Sequence, residues 1–216
     1  MRHHMIDGVH IATARPEHTG GVYEVFDVHA VPAPGAPPHA APWAASLCLL
    51  DGDLAVHVGG ATHRIAPGGA ITVPAHSTCA FEVTGSARFI AVTSGTDAGR
   101  FVADFARSVD PAAPDFAVAA AVAARHGVTL GPGPGTAHVT GPDDPAKVTA
   151  EHTGGVYEVH ELDTAEETAP WTRTVFTLPD AFTTLPPGAP MPPTGRCLSI
   201  TAGAGAGKRY REAVRS

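Results

Sequence analysis

Aromatic residues are scarce, at 6% of the 216 positions. Cysteine is scarcer still: Cys48, Cys79 and Cys197 are odd in number and far apart. No disulfide framework can be drawn from such a set, and a reducing, cytoplasmic setting is expected. Apolar runs are short, and none approaches the roughly 18–20 residues needed to span a bilayer, so no membrane partner is expected. The opening residues, MRHHMIDGVH, contain no apolar stretch. They are read as lacking a secretory signal, with His3 and His4 in a frayed terminus. Basic residues are also few. The net charge is −7, and KRYRE near the C-terminal end is the one basic cluster, which argues against nucleic acid as a partner. The thirteen histidines are scattered and form neither an HExxH motif nor a two-histidine helical pair.

Apolar residues, at 44%, suffice for a packed core, and Gly 24 with Pro 21 punctuate the chain into short pieces. That combination predicts short strands and turns rather than a helical bundle. The strongest organising signal is a repeat. EHTGGVYEV occurs at 17–25 and again, unchanged, at 151–159. Weaker likeness follows in the same order. APW stands at 41–43 and 169–171, GAITVP at 69–74 resembles DAFTTLP at 180–186, and TGSARFIAVTSG at 84–95 resembles TGRCLSITAG at 194–203. Each copy ends in a charged, helix-like stretch, at 99–109 and 207–215. The second copy has no counterpart of LCLLDGDLAVHVGGATHRIAPG, the central part of the first. A sheet without its central strands leaves open edges, so the second unit is expected to pack on the first or on another subunit.

Within the first unit, GVYEVFDV alternates Val22, Glu24 and Phe26 against Tyr23, Val25 and Asp27. Asp51-Gly52 between apolar runs predicts a hairpin turn. Residues 99–109 read as a helix with Phe101, Val102, Phe105 and Val109 on one face. A second helix starts at an Asp115 N-cap and stops at Gly127. The expected organisation is therefore a barrel with C-terminal helices over 1–130, a Gly/Pro-rich linker over 131–147, and a shortened repeat over 148–216.

GAPPHAAPWAASLCLLDGDLAVHVGG at 35–60 and GGAITVPAHSTCAFEV at 68–83 have the glycine and proline framework of a known family. The first unit resembles a cupin, and within that superfamily the cupins related to quercetinase and to polyketide cyclases. The resemblance implies an all-β fold, the double-stranded β-helix or jelly-roll barrel with a few short helices. It also implies a metal held by three histidines and a glutamate. His39 matches the first histidine. Ala41, Ala45 and Cys79 stand at the second histidine, the glutamate and the third histidine. A metal site needs three or more N, O or S donors, and alanine supplies none. No cofactor is expected; the alternative is a divalent metal such as Fe, Ni, Mn or Zn, held by His39, His76 and Cys79 if held at all.

His39, His76 and Cys79 are the candidate catalytic groups, two imidazoles suited to proton transfer and a thiol. Strand parity points Cys79 inward with Phe81 and Val83, where a cysteine also serves as a small apolar residue. Trp43, Leu47, Leu49, Val56, Phe81 and Phe89 are the expected substrate-pocket lining, and Trp43 and Trp171 read equally as packing anchors. His57 and His63 are expected to be exposed. TAGAGAGKR at 201–209 resembles a phosphate loop but has Ala202 and Arg209 where the motif wants Gly and Ser or Thr. The expected activity is a metal-independent cyclisation, isomerisation or dehydration of a small molecule in secondary metabolism, by a homodimer. The alternatives are a metal-dependent, quercetinase-like dioxygenase and a non-catalytic ligand-binding or oligomerisation module.

Overall fold

A computed structural model describes residues 1–33, 37–162, 173–177, 181–185 and 197–203. The chain opens with β1 (Arg2–Met5) and β2 (Gly8–Ala14), and a short helix, α1 (Pro16–Thr19), leads into β3 (Tyr23–Ala30). Then come β4 (His39–Ala40), β5 (Ala45–Gly52), β6 (Leu54–Val58), β7 (Ala61–Ile65), β8 (Ala70–Val73), β9 (Thr78–Glu82) and β10 (Ala87–Ser94). Helices α2 (Asp97–Ser108) and α3 (Phe116–Arg125) follow, then β11 (Thr129–Leu130), β12 (His138–Thr140) and β13 (Ala146–Val148). After a single 3-10 turn at Ala150–Thr153 come β14 (Tyr157–Leu162), β15 (Arg173–Thr177), β16 (Ala181–Leu185) and β17 (Cys197–Ala202).

Three antiparallel sheets result, ordered β1-β2-β3-β10-β5-β8-β12, β11-β4-β9-β6-β7 and β13-β14-β17-β15-β16. The first two face each other across one core that includes Phe26, Val28, Leu49, Val56, Ile71 and Phe89. This is the expected all-β jelly-roll barrel. Its alternating side chains send Phe26 and Val28 inward and Tyr23 and Val25 outward. The third sheet covers that outer face, where Tyr23, Val25, Ile90 and Val92 form a second core with Tyr157, Val159, Phe176 and Ile200. The order β14-β17-β15-β16 matches β3-β10-β5-β8, so the sequence repeat has a counterpart in strand order. Among the described residues, no strand corresponds to the barrel's second sheet.

The repeated His-Thr-Gly-Gly builds the same corner twice. Gly20 and Gly21 have φ of 64° and 78°, and Gly154 and Gly155 have 68° and 84°, left-handed values that favour glycine. The preceding threonine hydroxyl donates across the corner, Thr19 to the Tyr23 carbonyl at 2.6 Å and Thr153 to the Tyr157 carbonyl at 2.8 Å. Both expected helices form, and the Asp115 carboxylate accepts from the backbone of Ala117 and Val118 at 2.8 and 3.2 Å.

Three expectations are corrected. Asp51-Gly52 is not a hairpin turn: β5 pairs with β10 and β8 while β6 pairs with β7 and β9, so the chain passes there from one sheet to the other. His3 and His4 are not in a frayed end, because β1 pairs with β2 along the edge of the large sheet. The segment expected as a linker is tied to the barrel. Gly131 donates to the Pro38 carbonyl at 2.7 Å, Thr78 donates to the Pro134 carbonyl at 2.9 Å, and β12 pairs with β8. Buried edge strands need their backbone groups paired, and this segment supplies the partners. Trp171, the KRYRE cluster, the second helix-like stretch and most of TAGAGAGKR lie outside the described residues.

Candidate active site

The barrel holds an inner chamber of about 170 Å3 that is open on one side. It adjoins an outer chamber of about 270 Å3, roofed by α2 and α3 and floored by the β1-β2 turn. His10, His39, Phe81, Phe101, Val102 and Val128 line both, and so mark the passage between them. The outer chamber has room because α3 turns Ala119, Ala120 and Ala123 toward it. Aromatic rings run from inside to outside: Trp43 lies 5.9 Å from Phe101, and Phe101 lies 5.7 Å from Phe105.

Most of the residues expected to line a pocket are in the inner chamber. Trp43, Leu47, Val56, Phe81 and Phe89 line it, as do His39 and Cys79. Leu49 does not; it is packed in the barrel core. His76 does not either. It sits in the β8–β9 turn with φ of 63°, exposed to solvent, and its backbone N–H donates to the Ala41 carbonyl at 2.7 Å. The His39, His76 and Cys79 set therefore is not assembled at one place. His57 lies outside as expected, against Thr62 at 2.9 Å and Glu82 at 3.4 Å.

His39 and Cys79 face each other in the register of β4 and β9. The His39 Nδ1 donates to the Pro37 carbonyl at 3.1 Å. A carbonyl can only accept, so the neutral ring carries its proton on Nδ1 and its lone pair on Nε2. Burial pushes the Cys79 thiol up to about 11. It stays protonated near neutral pH, which makes it a poor nucleophile.

A pair of residues that the sequence reading passed over sits at the same passage. The Asp7 carboxylate holds His10 Nε2 through both oxygens, each at 3.2 Å. Burial alone would raise the Asp7 carboxyl. The His10 charge and hydrogen bond outweigh it, His39 adds to them, and the carboxyl is held below its usual range. The ionised Asp7 accepts from Nε2–H, and whenever the His10 ring gives up its other proton the basic lone pair stands on Nδ1. The available cue was Asp7-Gly8, a turn dipeptide of the kind read at 51–52.

The metal implied by the cupin resemblance does not fit these residues. His39, Ala41, Ala45 and Cys79 do all line the inner chamber. They provide one imidazole and one thiol, with no donor at Ala41 or Ala45. Among the described residues, no three His, Cys, Asp or Glu side chains are grouped to hold a metal ion.

No family model matches the chain, and no curated protein does. Solved structures do. A protein named as glyoxylate-induced from Pseudomonas aeruginosa is 16% identical, with a TM-score of 0.53 over 93% of this chain and 84% of that one. The oxalate decarboxylase of Lactobacillus farciminis, solved with formate, is 11% identical with a TM-score of 0.49, over 94% and 79%. The polyketide cyclase RemF from Streptomyces resistomycificus is 21% identical with a TM-score of 0.37, over 41% and 65%. The fold is a cupin-type β-barrel. No helix among the described residues is long and apolar enough to cross a membrane.

Proposed function

We propose that this chain is a metal-independent cupin enzyme that moves protons on a small molecule, in a cyclisation, isomerisation or dehydration of secondary metabolism. The supporting observation is the meeting of the Asp7–His10 pair and His39 at the passage between two apolar chambers. Two imidazoles at one place can supply one base and one acid. The apolar walls exclude water and strengthen each electrostatic contact. Asp7 stabilises the imidazolium that forms when His10 takes a proton. The proposed setting is a cytoplasmic homodimer, which would associate through a surface other than the one the third sheet covers.

Exchange of the methyl protons of 2-acetylnaphthalene in deuterated buffer, followed by NMR, tests this reading without knowledge of the natural substrate. The protein is expected to accelerate the exchange, and His10→Ala and His39→Ala each to lower the acceleration on the order of 10²-fold. No acceleration by the wild type, or an unchanged rate in the double variant, counts against it. Near-stoichiometric Fe, Ni, Mn or Zn in the purified protein would overturn the metal-independent part.

A further inference from the structure

Polar side chains are unevenly placed along the two chambers. The outer one is walled by Met5, Ile6, Phe105, Phe116 and Leu130, and among the described residues its polar lining is Asp7, His10 and His39 alone. Asp7 is taken up by His10 at 3.2 Å. Apolar residues, Phe26, Leu47, Val56 and Phe89 among them, also make most of the inner wall. Its polar residues besides His10 and His39 are Ser77, Cys79 and Thr93. Ser77 turns its hydroxyl to Thr136 at 3.4 Å, and the Thr93 hydroxyl is buried within the wall. Cys79 stands opposite His39 in the β4–β9 ladder and so belongs to the level of the passage. The groups left for a ligand are thus gathered where the chambers join. There His39 Nδ1 donates to the Pro37 carbonyl at 3.1 Å, which leaves Nε2 as an acceptor. An apolar cavity of about 150 Å3 takes up benzene, so chambers of about 170 and 270 Å3 each have room for an arm of about six carbons. Phe116 and Leu130, 59% and 43% exposed, edge the outer chamber and give an apolar ligand its way in.

We propose that the ligand of this site carries its hydroxyl in mid-chain: an apolar molecule with one hydrocarbon arm in each chamber, joined at a hydroxyl-bearing carbon that sits at the passage and donates to His39 Nε2. This rests on the reading of the cavity as a substrate site and adds where the substrate's polar group lies. A hydroxyl near the end of the molecule has two poorer choices. It can lie against apolar wall without a partner, which is costly. Or it can reach His39 and leave one chamber unfilled, which forfeits the burial of an arm.

The test compares two alcohols of the same formula, 6-undecanol and 2-undecanol, by ligand-observed NMR titration of the full chain. The mid-chain isomer is expected to bind about 3- to 10-fold tighter, the worth of one net hydrogen bond. His39→Leu is expected to lose that preference. Ala120→Phe puts a ring into the outer chamber from α3. It is expected to weaken 6-undecanol by about 10-fold, as burial of one arm is lost. The same variant is expected to keep its affinity for 2-heptanol, whose single pentyl arm fits the inner chamber. Ala121→Phe, on the exposed side of the same helix, is expected to change neither. The isomer comparison is made on the wild type and does not depend on any variant folding. A wild type that favours 2-undecanol or has no preference overturns the mid-chain hydroxyl, as does a preference that survives His39→Leu. Equal weakening of 6-undecanol and 2-heptanol by Ala120→Phe, or no weakening of either, overturns the two-arm arrangement. If the alcohols behave as expected while proton exchange on 2-acetylnaphthalene ignores His10 and His39, the proposed chemistry fails and this binding arrangement stands.

Discussion

The hydroxyls of Tyr23 and Tyr157 each donate into the sheet that carries the other. Tyr23 reaches the Ile200 carbonyl at 3.1 Å and Thr174 Oγ1 at 3.1 Å, and Tyr157 reaches the Val92 carbonyl and Ser46 Oγ, both at 2.8 Å. Ser46 pairs with Val92 in one sheet as Thr174 pairs with Ile200 in the other. The two tyrosines thus occupy equivalent positions about a local pseudo-two-fold axis, with ring centroids 6.2 Å apart. The repeated motif places one member of this exchange in each unit.

Because both hydroxyls are buried, Tyr23→Phe and Tyr157→Phe each remove a paired donor and leave acceptors behind. Each is expected to cost about 1–3 kcal/mol of stability, read as a lower urea midpoint. A midpoint equal to that of wild type in both variants would show that the exchange does not hold the sheets together.

The Glu24 carboxyl is pushed above its usual range, chiefly by burial and with help from Asp97 and Glu17, against the Gly99 N–H and Arg100. The folded state then holds this proton more tightly than the unfolded chain. Its contribution to stability therefore declines as pH rises from the ordinary glutamate value of 4.5 through the raised folded value. Glu24→Gln keeps an acceptor for Gly99 and carries no charge. It is expected to be more stable than wild type at about pH 7 and to lose that advantage below about pH 4. Urea midpoints at the two pH values decide; an advantage that grows in acid would reverse the argument.

The Cys79 thiol, raised to about 11 by burial, is expected to resist alkylation by iodoacetamide near neutral pH in the folded protein and to react on unfolding. Cys79→Ala is expected to retain proton exchange on 2-acetylnaphthalene. Rapid labelling of Cys79 in the native state, found by peptide mass mapping, would restore it as a nucleophile.

Helix α3 begins at the Asp115 cap and roofs the outer chamber through its alanines. Asp115→Ala removes the acceptor for two backbone donors and is expected to cost about 1 kcal/mol. Fraying of this turn loosens the roof, so binding of 2-acetylnaphthalene is expected to weaken. Equal affinity in the variant would mean that the start of α3 does not shape the chamber.

Local pattern made much of the barrel legible. Alternation in β3 separates Phe26 from Tyr23 and Val25 because successive side chains point to opposite faces of a strand. The bounds of α3 were readable because a cap is a contact within one turn. The framework resemblance found His39 and Cys79, which line the chamber; His76, put forward for its place three residues before Cys79, is carried by its turn to solvent. Asp7 and His10 were missed because their place depends on β2 pairing with β3, a contact that no local pattern announces. The same limit explains Asp51-Gly52: a turn dipeptide signals a change of direction, and only the partners of β5 and β6 show that the change leads to another sheet.

By itself the sequence determined the alternating faces, the capped helix, the duplicated Gly-Gly corner and the absence of donor atoms in the side chains of Ala41 and Ala45. Each follows from the chemistry of a residue and its near neighbours. Only the tertiary structure decided that the third sheet covers the barrel's outer face, that Asp7–His10 joins His39 at the chambers, and that the Thr93 hydroxyl is buried without a partner among the described residues. Those facts depend on which distant strands pair and which side chains then remain without a partner, and non-local packing alone sets both.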